Sequence, residues 1–173
     1  MRILSILLVL LIPAVQAVPF DEKPLLPEFT NADPAHWFNS RPLQREDLRG
    51  KVLLIDVWTF GCWNCYRSFP WLNQLEKTFA GLDFMVIGIH TPEFDHEKDP
   101  VAVAKKIQEF ELHHPVMMDN DFGYWRALNN RYWPSFYLVD KVGRLRHLHV
   151  GETHVGDRRA TRIEQQIRAL LEE

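Results

Sequence analysis

The chain has 173 residues, 46% apolar and 25% charged, with twenty basic against twenty-three acidic side chains and a formal net charge of -3. That length suits one domain with a core large enough to need no staples, and a near-neutral balance without a basic run argues against nucleic acid or an anionic membrane surface as the main partner. Two cysteines, Cys62 and Cys65, exclude a multi-disulfide scaffold.

In chain order, Met1-Arg2, the apolar run from Ile3 to Ile12, Pro13 and Val15-Gln16-Ala17 read as a secretory signal cleaved after Ala17. The run falls short of the ~20 apolar residues of a spanning helix, and an uncleaved anchor is the alternative. No cysteine stands near the cleavage position, which argues against a bacterial lipid anchor. The expectation is a signal peptide over 1–17 and a periplasmic or secreted protein. Residues 18–42 hold five of the eleven prolines (Pro19, Pro24, Pro27, Pro34 and Pro42) and are expected to form an extended lead-in with little regular structure. A single domain over 43–173 follows.

Within it, Lys51 to Trp58 is a near-continuous apolar run and reads as a strand buried on both faces. Cys62 to Phe79 reads as a helix with Phe69, Leu72, Leu75 and Phe79 apolar, and Pro70 is expected to kink it. Asp83 to His90 is a second buried strand. Asp99-Pro100 opens a helix expected to run to about Leu112, with proline at a position where its missing N–H costs nothing. Pro115 to Met118 reads as a strand and Phe122 to Asn130 as a short helix. Ser135 to Asp140 and Leu145 to Val150 form a hairpin around Lys141-Val142-Gly143. An amphipathic helix from Asp157 to Leu171 closes the chain. The fold class is α/β, a mixed central sheet covered on both sides.

Cys62-Trp63-Asn64-Cys65 stands where a buried strand passes into a helix. Unpaired N–H groups and the positive dipole end of a first helical turn stabilise a thiolate there. The thiolate is the attacking species in disulfide exchange, and two intervening residues let the second thiol close an internal disulfide. Cys62 is thus the candidate nucleophile and Cys65 the candidate resolving thiol. The same spacing is half a zinc site, but His113 and His114 are adjacent and point opposite ways on an extended segment, so no metal is expected. Asp56, an acid inside an apolar strand, is costly without a task. Burial would raise its pKa and make it a proton acceptor for Cys65; a carboxylate reaching solvent at the strand end is the other reading. Trp133-Pro134, directly before a strand, is compatible with a cis bond.

Taken together, Asp56, Trp58, Cys62, Cys65, Pro70 and Pro134 resemble the buried acid, active-site Trp, cysteine pair, helix Pro and cis-Pro of the thioredoxin superfamily, across nearly the whole mature chain. The extra helix and strand between His90 and Asp119 resemble the insertion of its TlpA/ResA-like extracytoplasmic branch. Trp37-Phe38-Asn39-Ser40, Trp58 through Cys65, Gly88 through Phe94, and Arg131-Tyr132-Trp133-Pro134 are similar to segments of the thioredoxin-like domain on DipZ-type membrane electron transporters.

The resemblance implies a thioredoxin-like fold with an inserted helix and strand and an N-terminal extension. It implies no cofactor beyond the redox-active Cys62–Cys65 pair, protein disulfides as substrates, and electrons from a CcdA/DsbD-type membrane donor. That donor is expected to be a separate protein, because these residues include no transporter. The resemblance also makes Trp63, Asn64, Trp133 and Pro134 the expected substrate-binding residues, with bulky Trp133 restricting the groove. A departure is the lack of lysine from Asp83 to His90, where cytosolic thioredoxins keep one near the buried acid.

Several residues carry two readings. His90 and Glu93, at the carboxyl end of a central strand, are candidates for tuning the thiols, or His90 satisfies loop backbone. His147, His149 and His154 are a potential metal set or, more simply, solvated edge residues. Trp63 is read as an exposed contact for a partner, or as packing on Trp58 or Trp37. Arg67 and the Glu97-Lys98 pair are expected in solvated ion pairs worth little. The function expected is reduction of protein disulfides outside the cytoplasm. Its rivals are a disulfide-donating oxidase of the same fold and a Cu(I) delivery protein using both cysteines. A peroxidase is disfavoured, because Ile55 stands where its motif needs proline.

Overall fold

Seven consecutive residues of β2 (Val52–Trp58) are buried, including Asp56, as expected of a strand with neighbours on both edges and layers on both faces. The computed structural model describes residues 23–173, so the expected signal segment lies outside the described residues. β2 pairs in parallel with β3 (Phe84–His90) and antiparallel with β5 (Ser135–Val139). Beyond β3 lie β4 (Val116–Met118), parallel to it, and β1 (Trp37–Phe38), antiparallel to β4. β6 (Leu145–Val150) closes the other edge against β5, giving the order β1-β4-β3-β2-β5-β6.

Side-chain alternation on β2 divides the core in two. Val52, Leu54 and Trp58 face one layer with α1 (Trp63–Thr78), α2 (Pro100–Glu109) and α4 (Arg158–Glu172). Leu53, Ile55 and Val57 face the other, closed by α3 (Gly123–Ala127), the 3₁₀ turn Arg45–Leu48 and the incoming chain at Leu26 and Trp37. On α4, Ile163, Ile167 and Leu170 are buried, each worth roughly 1.5–3 kcal/mol of transfer free energy. Asp157 caps that helix by accepting from Ala160 N at 2.7 Å.

The lead-in does more than expected. Its residues 37–38 form the edge strand β1, Leu25 bridges to Arg144, and Leu26 is fully buried. Residues 25–38 of the proline-rich segment therefore pack onto this domain, with Leu26 and Trp37 in its core. α2 ends at Glu109 rather than near Leu112. Glu111 takes a positive φ of 55°, its N–H bonds Gln108 O, and Leu112 N–H bonds Ile107 O. That is a Schellman stop with glutamate in the place usually held by glycine. The same device, with Asn129 at φ 52°, stops α3 short of Asn130. At its other end α3 is anchored by Asp119, whose carboxylate accepts from Tyr124 N, Trp125 N and Thr91 Oγ1.

Candidate active site

β2 delivers the chain at its carboxyl end into Thr59-Phe60-Gly61, and α1 begins one residue after Cys62. Cys62 is the N-cap: its sulfur accepts from Cys65 N at 3.1 Å. The two cysteines are joined in a disulfide with Cα atoms 5.3 Å apart. Cys62 is partly exposed and Cys65 fully buried, against the face that carries Trp58 and Phe69. The amide of Cys65 and the first turn of α1 thus point their partial positive charge at the Cys62 sulfur.

Asp56 lies on that same face of β2, with Leu54 and Trp58. It is 1% exposed, neither carboxyl oxygen has a hydrogen-bond partner, and burial pushes its pKa up to about 8. The reading in which this carboxylate reaches solvent is overturned. Directly across the ladder stands Gly88, so β3 puts no side chain beside the carboxyl.

The Trp133-Pro134 bond is cis. The Trp133 indole donates to Thr91 O at 3.1 Å and packs on Trp125 with ring centroids 4.3 Å apart, so this half-buried ring is held from two sides. A cleft of about 380 Å³ runs past the disulfide, lined among others by Cys62, Trp63, Asn64, Glu93, Tyr132 and Trp133. Trp63 is 66% exposed and stacks on Tyr66, not on Trp58 or Trp37 as one reading had it, and Tyr132 is 60% exposed. The rim is therefore aromatic on both sides of Cys62. Pro134 is buried beneath it and its carbonyl is taken by Gly151 N.

The two tuning candidates separate. Exposed Glu93 lines the cleft with Cys62. His90 is fully buried under the loop, edge-on to Trp58 and stacked on Phe60, with Nε2 3.4 Å from Thr59 Oγ1. Burial lowers its pKa to about 4, so the ring is neutral at ordinary pH. His147 and His149 lie on the edge strand β6, partly exposed, and both bond Gln166 of α4, while exposed His154 pairs with Glu152. Arg67 does form the expected surface pair, with Glu152 at 3.1 Å.

Glu97 is the residue that sequence reasoning misplaced. Instead of pairing with Lys98, which bonds Asp95, it is fully buried. One oxygen accepts from Gly61 N at 2.7 Å; the other accepts from Glu93 N at 2.5 Å and Phe94 N at 3.0 Å. A carboxyl that only accepts, on both oxygens, has the pattern of the ionised form. It ties the residue preceding Cys62 to the segment after β3. A Cβ at Gly61 would fall 2.1 Å from Glu97 Oε1, which explains the glycine. Glu97→Gln is expected to orphan at least one of these N–H groups and lower stability by about 1–3 kcal/mol. Urea unfolding of the oxidised protein measures it, and an unchanged midpoint would remove Glu97 from the loop's support.

A mixed sheet of this order, with a CxxC disulfide at the strand-to-helix junction and a cis-proline opposite, defines a thiol–disulfide oxidoreductase domain of thioredoxin-like fold. The chain belongs to the Redoxin family, whose model matches residues 22–167. It is 39% identical over 138 residues to Protein DipZ of Mycobacterium bovis, a match spanning 78% of this chain and 19% of DipZ, so the chain accounts for under a fifth of that relative. It is 27% identical to the thiol-disulfide oxidoreductase YkuV of Bacillus subtilis, over 73% of this chain and 83% of YkuV. A thiol-disulfide isomerase from Corynebacterium glutamicum superposes with a TM-score of 0.70 at 27% identity, covering 89% of this chain and 99% of that one.

Proposed function

We propose that the protein reduces protein disulfides outside the cytoplasm. The Cys62 thiolate attacks a substrate disulfide, forming a mixed disulfide and releasing one substrate thiolate. Cys65 then gives its proton to Asp56 in its ionised form and attacks the Cys62 sulfur, closing the Cys62–Cys65 disulfide and releasing the second substrate thiolate. Two electrons pass to the substrate, and a CcdA/DsbD-type membrane transporter is the class of donor that would return them. No cofactor beyond the cysteine pair is needed. Trp63, Asn64 and Trp133 line the cleft in which the substrate backbone would lie, next to the buried cis-Pro134. The extracytoplasmic setting is supported by the apolar run ahead of Val15-Gln16-Ala17.

The observation that carries the direction is Glu97. A fully buried carboxylate fixed on the residue before Cys62 opposes the thiolate that the helix start favours. Strong oxidants of this chemistry stabilise their reduced form; a nearby anion works the other way. The oxidase reading rests on the helix terminus and the Cys65 N–H at the Cys62 sulfur. For the Cu(I) reading, the described residues hold no cluster of three histidine, cysteine or acidic side chains arranged around a metal. The reduction potential of the couple, measured against glutathione or dithiothreitol buffers, separates the first two. The expected value is near roughly -270 mV or below; one near about -120 mV would make the protein an oxidant.

A further inference from the structure

Buried polar groups without a partner gather beside Asp56. Both of its oxygens, the indole Nε1 of Trp58 and Nε2 of His114 all lack hydrogen bonds. Each such group costs about 1–3 kcal/mol if nothing uses it. Two of them, the indole and the imidazole, meet over Gly88, the ladder partner of Asp56. Asp56 pairs with Gly88 and Gly88 with Val116, so three neighbouring strands present these residues in a row on the α1 side of the sheet. Gly88 leaves a gap in that row. The point where its Cβ would stand lies 2.9 Å from Trp58 Nε1, 3.3 Å from His114 Nε2 and 3.1 Å from Val116 Cγ2. A side chain at 88 would push the indole or the imidazole away, and the next strand's Asp56 is about 4.8 Å off across the ladder.

The far side of the imidazole leads outward. His114 Nδ1 is 3.1 Å from Glu76 Oε2 on α1; the His114 side chain is 1% exposed and that of Glu76 26%. A carboxylate at Nδ1 makes that nitrogen the N–H donor and leaves Nε2 with a lone pair directed into the Gly88 gap. The charged and titratable groups facing this spot are Asp56 from β2, His114 from the turn before β4, Glu76 from α1 and, from β3, His90, which stands two residues beyond Gly88 on the same face and edge-on to Trp58.

We propose that His114, backed by Glu76, relays the Asp56 proton to solvent across the gap at Gly88. The relay rests on the reading of Asp56 as the acceptor of the Cys65 proton. Once Asp56 is protonated, its proton passes to His114 Nε2 through a bridging water, since the two share no direct hydrogen bond. The Nδ1 proton passes to the Glu76 carboxylate and from there to bulk water. Nothing is oxidised or reduced, and the reverse path returns a proton to Cys65 when the disulfide is opened. The gap, the orphaned Nε2 and the half-buried Glu76 are thereby parts of one device.

The test is the pH profile of single-turnover disulfide reduction, followed in the full chain for His114→Gln and Glu76→Gln, each also combined with Asp56→Asn. His114→Gln is expected to slow closure of the Cys62–Cys65 disulfide at least about tenfold near neutral pH and to displace the profile, as loss of a proton-transfer group does. Glu76→Gln, on the helix surface, should displace the profile in the same sense without threatening the fold. Neither should slow Asp56→Asn further. Unaltered rates and profiles in both single variants overturn the relay, as does equal slowing in the Asp56→Asn background. If Asp56→Asn alone closes its disulfide at the parent rate, the acceptor reading falls first, and the relay with it.

Discussion

Asp56→Asn is expected to make the oxidised protein more stable at pH 8 by several kcal/mol while slowing its turnover. The carboxyl is fully buried, has no partner, and holds its proton up to about pH 8, against about pH 4 in an unfolded chain. Below pH ~4 the group is protonated folded and unfolded alike and contributes no pH dependence. Between about pH 4 and 8 the unfolded chain has lost this proton while the folded protein keeps it. The unfolded state then binds fewer protons, so stability falls as pH rises, by roughly 1.4 kcal/mol per pH unit. Above about pH 8 both states are ionised and the loss levels off. Asparagine removes this slope, so the gain over the parent should vanish near pH 4 and grow toward pH 8. Urea unfolding at several pH values measures it, and a constant difference across that range would mean the carboxyl is not the source. Turnover should move the opposite way, because the Cys65 proton loses its acceptor. A gain in stability coupled to a loss of rate is the mark of a group kept for chemistry, since substitutions in a core usually lose both.

Much of this site is local in sequence, which is why it is legible there. The period change after Gly61 marks the helix start, CxxC puts one sulfur at the N-cap, and an acid within an apolar run declares its own burial. What the sequence hides is long-range. Glu97 reads as a surface acid because Lys98 stands beside it, and only the return of residues 93–97 to the Gly61 loop turns it inward. The glycine at 61 is the one trace it leaves, and many turns contain glycine. Gly88 in a β-rich run has the same ambiguity until Trp58 and His114 are seen to meet over it. The ends of α2 and α3 are hidden in the sequence because Glu111 and Asn129 take the left-handed position where glycine is the usual signal. β1 is hidden for a similar reason: two residues show no period, and their strand state comes from pairing with Met117 and Val116.

Cys62→Ser should abolish disulfide reduction in an insulin turnover assay, whereas Cys65→Ser should stall it with substrate attached. The asymmetry follows from position. Cys62 alone has both a solvent-facing sulfur in the cleft and the N-cap environment that favours a thiolate. Cys65, wholly buried under the first turn, can reach only a sulfur already delivered to Cys62. Losing Cys62 removes the attacking atom, and Cys65 cannot substitute without unwinding α1. Losing Cys65 leaves the attack intact but removes the intramolecular step, whose advantage is that the resolving thiol is already in place. The mixed disulfide should then persist and be visible on a non-reducing gel or by intact mass. Its partner identifies the substrate, and dithiothreitol should release it. Full turnover by Cys62→Ser, or trapping by Cys62→Ser in place of Cys65→Ser, would reverse the assigned roles. The trapped species also reads the groove. Adducts should weaken when Trp63 or Tyr132 is truncated, because the exposed rings on either side of Cys62 supply the largest apolar contacts a docked chain can cover.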